Sequence, residues 1–186
     1  MEWTIPGTVL TGPREDVEAT IRQIEGMFLG GGMIRSQLAS VSGVEAYDIQ
    51  NWVKRGFLPN PVNKRYSIQQ FSRIVTINML RNAMTMDKIC SLLTYVNGEL
   101  NDESDDLIDD TVLYFMFLRL AARARHIGGR DSWDEAIADI LRDYEEPVPG
   151  AKKRIDQVLR IMLTAWSGVR TIQKAEQMLS ELKEDA

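Results

Sequence analysis

Residues 33–80 constrain the fold of this chain more than any other stretch. Ile34, Leu38 and Val41 recur at helical spacing, and Gly43 follows where a tight helix-to-helix turn calls for φ > 0. A second helical pattern occupies 45–55. Ile49, Trp52 and Val53 form its inward stripe, and Tyr47, Gln50, Asn51 and Lys54 fall on the opposite face. Gly56 stops that helix where a left-handed residue is easiest. Pro59, Asn60, Pro61 and Asn63 then make 57–66 a loop, which ends in Lys64-Arg65-Tyr66. Ser67 with Gln70 is a capping box that opens the next helix, whose stripe is Phe71, Ile74, Val75 and Leu80. A further short helix from about 85 turns Ile89, Leu92 and Leu93 to the core.

Charge singles out the same region. The 186-residue chain carries a net −5, which by itself argues against a nucleic-acid partner. Residues 33–97, however, hold eight bases and three acids, a net +5, so the remainder carries −10. Basic charge coincides with the helix–turn–helix pattern, as expected of a nucleic-acid-binding segment inside an acidic protein.

The spacing S-G-V at the turn, Trp52 late in the second helix, R-G-F-L-P leaving it and K-R-Y-S entering the next helix resembles the winged-helix DNA-binding domain of MerR-type regulators. The Q-N-W-V-K-R-G and P-V-N-K-R-Y segments are most similar to an uncharacterised bacterial family of MerR-like proteins. The resemblance implies a mainly helical, all-α fold: a winged helix-turn-helix with a small wing and a C-terminal helical module. It implies a cytoplasmic transcription regulator that binds double-stranded DNA. Helix 45–55 would enter the major groove and wing 60–66 would lie on the backbone or minor groove. The implied contact residues are Tyr47, Gln50, Asn51, Lys54, Arg55, Asn63, Lys64, Arg65 and Tyr66, with Tyr66 either packing or bonding a phosphate. Asn and Gln amides suit adenine, and Lys suits guanine or phosphate. The chain departs from the MerR pattern at Gln50, where those regulators usually carry arginine. It also departs after the wing, where an acidic segment stands in place of a long dimer-forming helix.

The flanks read more simply. Residues 1–13 predict an irregular arm, and Pro13 with Glu15 and Asp16 predicts the start of a helix running to about 29, with Val17, Ile21, Ile24 and Phe28 on one face. Gly30-Gly31-Gly32 reads as a flexible joint; no strand precedes it and no Gly-Lys-Ser/Thr follows, so a phosphate loop is disfavoured. Seven acids and no base occupy 98–110. Calcium-loop spacing is absent, and the segment reads as a solvated linker whose last acids favour a helix N-terminus. Helices are expected over 112–127, over 132–144 behind a Ser132/Glu135 capping box, and over 151–182 after the Pro147–Gly150 break. The last should carry Ile155, Val158, Leu159, Met162, Trp166, Val169, Ile172 and Leu179 along one apolar side. These boundaries divide the chain into an N-terminal arm and helix (1–32), the winged helix (33–97), an acidic linker (98–110) and a helical dimerisation or ligand module (111–186).

Catalytic chemistry finds little support. His126, the one histidine, suits a helix C-terminus, and Cys90, the one cysteine, lies among apolar residues. Neither a Ser-His-Asp set nor a zinc spacing is available from such counts. No cofactor and no metal are expected. The longest apolar run, 112–118, is too short to span a bilayer. The partners expected are double-stranded DNA, a second copy through Ile155, Val158, Met162, Val169 and Ile172 of the last helix, and a small-molecule effector. A protein-interaction module on a winged-helix scaffold is the alternative, motivated by the acidic balance.

Overall fold

The computed structural model describes residues 2–98, 100, 106–124 and 130–184. The chain is mainly helical. It begins with a hairpin, β1 (Glu2–Thr4) against β2 (Thr11–Pro13), antiparallel with Trp3 opposite Gly12. The expected irregular arm is therefore ordered. Thr8 tightens its turn, its hydroxyl donating to the Ile5 carbonyl and accepting from Leu10 N–H, both at 3.0 Å. Strands of three residues are too short to leave a period-2 signal. Pro13 ends β2 instead of opening a helix. Asp16 is the cap of α1 (Val17–Gly26), accepting from Ala19 N–H at 2.9 Å.

β3 (Met33–Ile34) leads into α2 (Arg35–Ser42), and Gly43 ends it in the left-handed region at φ 69°, as the turn requires. α3 (Ala46–Lys54) follows, burying Ile49 and Trp52. β4 (Arg65–Tyr66) returns to pair with β3, Met33 opposite Tyr66. The glycine joint is held by this pairing: a Cβ on Gly32 would stand 2.7 Å from the Tyr66 carbonyl.

α4 (Ile68–Leu80) is the centre of the fold. Ser67 accepts from Gln70 N–H at 3.2 Å and Gln70 accepts from Ser67 N–H at 2.9 Å, the reciprocal box expected from sequence. Ten of its residues are buried, polar Ser72, Arg73 and Thr76 among them. A helix buried on nearly all sides needs covering elements, and α2, α5, α6 and α8 supply them. α5 spans Met86–Asn97, α6 Asp110–Arg123, α7 Arg130–Ile140 and α8 Ala151–Glu184. Phe71 of α4 meets Phe28 at 5.4 Å between ring centroids and Tyr114 of α6 edge-on at 6.5 Å. The fully buried Tyr114 donates its hydroxyl to the Pro6 carbonyl at 2.8 Å, so the hairpin is fastened to the same core. Burial holds that phenol far above its usual titration range.

One apolar cluster runs from Trp3 to Trp166. The four segments read from sequence thus share a core, and the break at 98–110 does not divide it. The end of that segment is packed, not solvated. Leu107 and Ile108 are buried, and Leu107 is held by its N–H to Val96 O (2.7 Å) and by Tyr144 Oη donating to its carbonyl (2.5 Å). The acids at 102, 103 and 105 lie outside the described residues, as do His126 and Gly128-Gly129. Asp109 caps α6, accepting from Thr111 and Val112 N–H. α7 already includes Arg130, so Ser132 is inside the helix and not its cap.

Two faces of α8 differ from the single expected stripe. Ile155, Val158, Leu159, Met162 and Trp166 pack inward, and Phe117 meets Trp166 edge-on at 5.8 Å. Ile172 and Leu179, expected on that side, are 58% and 56% exposed. Three of the five positions expected to meet a second copy, Ile155, Val158 and Met162, are therefore spent on the chain's own core. No described helix is long and apolar enough to cross a membrane.

Candidate nucleic-acid interface

α3 is short because Glu45 and Gly56 bracket it. Its amphipathic pattern fixes which side is free: with Ile49 and Trp52 buried, Tyr47, Gln50 and Lys54 stand exposed and Asn51 is half-buried. Tyr47 is 71% exposed, which is unusual for an aromatic side chain of a small domain. Asp48, in the first turn of α3, meets Arg81 of the α4 C-cap at 3.6 Å, with both groups well exposed. Arg55 caps α3 and lies over the Phe57 ring at 4.5 Å, which limits its freedom without neutralising it.

The loop 57–66 ends in a tight hairpin. Arg65 N–H donates to Val62 O at 2.9 Å, and Asn63 and Lys64 between them adopt φ 49° and 61°. Positive φ at both central residues is the requirement of a type I′ turn, whose twist suits a two-stranded ribbon. Asn tolerates this region; Lys does so at a cost. Val62, Asn63 and Lys64 are exposed at the tip. Arg65 is exposed as well, but one of its N–H groups is spent on Gly32 O at 2.9 Å.

Tyr66 takes the first of the two roles expected of it and does not stand with the exposed contact residues. It is 4% exposed, and burial raises its phenol pKa. Of the packing and phosphate-bonding roles, only packing fits this position. Pairing with Met33 turns it to the core because successive strand residues alternate faces, so the outward residue of β4 is Arg65. Arg73 was one of the eight bases of the positive segment, yet it too is inside. Its Nε donates to Phe57 O at 3.0 Å and its Nη1 to Asp110 at 3.2 Å, with side chains 6% and 16% exposed. Burial pushes the Asp110 carboxyl up, against the pull of Arg73. The cations left at the surface of this unit on α3 and the hairpin are Lys54, Arg55, Lys64 and Arg65. None is paired with an acid among the described residues.

Sequence reading missed the Arg73–Asp110 pair and the Asp48–Arg81 contact, since neither partner is near the other in sequence. Among the described residues no group of three or more His, Cys, Asp or Glu side chains could hold a metal ion. Cys90 is partly buried and its thiol pKa is raised, chiefly by burial.

No curated protein matches this chain, and no solved structure does. Residues 35–117, less than half of the chain, are similar to a family described as a domain of unknown function, DUF1836. The matched segment starts at the first residue of α2, crosses the acidic stretch and ends inside α6, so it contains α3, the hairpin loop and both partners of the Arg73–Asp110 pair.

Proposed function

We propose that this protein is a cytoplasmic DNA-binding transcription regulator, with residues 33–97 acting as a winged helix of MerR-like type. α3 is the recognition helix. Tyr47, Gln50, Asn51 and Lys54 reach base edges and phosphates of the major groove, and the 62–65 hairpin brings Lys64 and Arg65 to the backbone or minor groove. The observation that carries this reading is the set of four cations, Lys54, Arg55, Lys64 and Arg65, paired with no acid among the described residues and exposed on the two elements that a winged helix turns to DNA. In a chain of net −5, that local excess is what a phosphate backbone would find.

The protein acts as a homodimer, because one small winged helix offers few base contacts and two-fold symmetry doubles them. The face of α8 assigned to the second copy keeps Ile172 of the positions read from sequence and leaves out Ile155, Val158 and Met162, which are buried. Gly168, Ile172, Ala175, Leu179 and Leu182 follow one another at alternating four- and three-residue steps, the spacing of a coiled-coil seam. From 171 to 182 every residue of α8 is exposed in the single chain, and the helix extends about 51 Å at 1.5 Å per residue over its 34 residues. A helix that long with an uncovered seam needs a partner, and an identical helix supplies the complementary surface.

Binding to random-sequence duplex DNA at varied salt tests the reading. Four phosphate contacts per chain give a slope of about 3.6 log units per decade of salt, doubled in a dimer. No retention on DNA at low salt would refute it in favour of a protein-binding role for the same surface. Lys64→Ala with Arg65→Ala should reduce the slope and weaken all sequences alike, whereas Asn51→Ala should relax preference at one base position. For the dimer, Ile172→Glu with Leu179→Glu should give a monomer by sedimentation; an unchanged oligomer would exclude the seam.

A further inference from the structure

Between the N-terminal hairpin, the end of α4 and the middle of α8 lies an open cavity of about 670 Å³, within the size range of small-molecule sites. Its wall takes one arginine from each of three elements: Arg14 after β2, Arg81 at the cap of α4 and Arg170 on α8. Glu2 is the one acid among the described residues of that wall, so the site carries a net +2. Two of the cations are positioned in advance by aromatic rings. Arg14 lies over Trp3 at 5.2 Å and also donates to the last carbonyls of α6, Ala121 (2.9 Å) and Ala122 (3.0 Å). Arg170 lies over Trp166 at 4.8 Å and pairs with no acid among the described residues. Ring-stacked guanidiniums lose little further freedom when an oxyanion engages them. The indole N–H of Trp3, buried at the same wall, has no hydrogen-bond partner among the described residues.

We propose that this cavity binds a small anion bearing phosphate or carboxylate groups, and that Arg81 reports its presence to α3. Arg81 both borders the cavity and holds Asp48 of α3 across the surface. Coulomb attraction at 3.6 Å between exposed groups is weak, so an oxyanion that forms charge-assisted hydrogen bonds in the cavity competes for Arg81 successfully. Asp48 is then left without its cation beside Asn51 and Tyr47, which adds uncompensated negative charge to the DNA-facing side of α3. Occupancy therefore lowers DNA affinity. The coupling rests on the DNA-binding reading; the anion site does not.

The full-length protein, labelled at its tryptophan indoles, would be titrated by NMR with inorganic pyrophosphate and separately with citrate, against sodium chloride at matched ionic strength. Trp3 and Trp166 signals should shift saturably with at least one polyanion and not with chloride, and the two arms identify phosphate or carboxylate as the preferred group. Arg81→Gln and Arg170→Gln, both surface changes, should each raise the midpoint about tenfold, the loss expected for one charge-assisted hydrogen bond. No saturable shift with either anion overturns the site, and so does an unchanged midpoint in the double variant. The effective anion should weaken DNA binding by the parent and not by Arg81→Gln. Equal weakening in both, or anion uptake by a chain that binds no DNA, overturns the coupling and leaves the site standing.

Discussion

Substituting one partner of the Arg73–Asp110 pair at a time should give unequal losses, and the inequality follows from the two environments. Asp110→Ala leaves a guanidinium that is 6% exposed, still bound to Phe57 O but with no counter-charge. Arginine cannot shed its proton, so the charge stays buried, and breaking such a pair costs about 3–5 kcal/mol. Arg73→Met leaves a carboxyl at 16% exposure in the first turn of α6. A carboxyl has two ways out, the helix dipole and protonation, so its share is smaller. The larger part of the loss there is the Phe57 carbonyl left without its donor, about 1–3 kcal/mol. With Arg73 gone, the strongest pull that lowers the Asp110 pKa is lost, while burial and the neighbouring Asp109 still raise it. Its folded pKa then lies above the unfolded value, and an acid shifted upward costs stability above that folded pKa and relieves it as pH falls. The Arg73→Met deficit should therefore shrink on acidification while the Asp110→Ala deficit does not. The double variant Arg73→Met/Asp110→Leu should cost well below the sum of the two singles. Urea unfolding at several pH values reads all three. Losses that add within about 0.5 kcal/mol, or an Asp110→Ala loss below about 1 kcal/mol, would refute the argument that a charge is trapped there.

Lys64→Gly should leave the hairpin turn intact and raise stability by up to about 1 kcal/mol, since glycine adopts φ 61° without strain, while it shallows the salt slope of DNA binding by about 0.9; urea midpoints and a salt titration check the two halves separately. Trp52→Ala should cost about 3–5 kcal/mol in urea unfolding, because the ring lies buried between α3 and the core, and a folded variant of parental stability would place it at the surface. Glu18 receives both Arg119 donors, at 2.6 and 2.9 Å, and that contact lowers its carboxyl pKa. A lowered folded pKa means stability present above the ordinary value of 4.5 and lost as pH falls below it, so Glu18→Gln should cost about 0.5–1 kcal/mol near neutrality and nothing in strong acid.

What could be read from sequence was local. Gly43, Gly56, the Ser67–Gln70 box and the Trp52 stripe each depend on residues within a few positions of one another, and all of them stand where the spacing put them. Tyr66 could not be read in the same way. Whether an aromatic beside two cations faces DNA or the core depends on its strand partner, and that partner is Met33, on the far side of two helices in sequence. Arg73 was misleading for a related reason. A tally of charges assigns every arginine to the surface, and only contact with Asp110, 37 residues on, removes it from the basic face. Of the seven bases of 33–97 that remain exposed, Lys54, Arg55, Lys64 and Arg65 lie on α3 and the hairpin.

α8 shows how one amphipathic pattern can serve two surfaces. Spacings of three and four fit both an inward stripe and a coiled-coil seam, and at 3.6 residues per turn Trp166 and Ile172 lie about 120° apart around the axis. Reading both as one stripe merged the face that closes the chain's own core with the face left open to solvent. Separated, they divide the helix by function. Residues up to Trp166 hold it to α5, α6 and α7, and Arg170, one turn further, borders the polar cavity. Ile172, Leu179 and Leu182 are exposed and belong neither to the core cluster nor to the cavity wall. Substitutions on the seam can thus change assembly without disturbing the cavity, and substitutions at Arg170 can change the cavity without disturbing assembly. Dimerisation, DNA binding and anion response can accordingly be tested one at a time on the same protein.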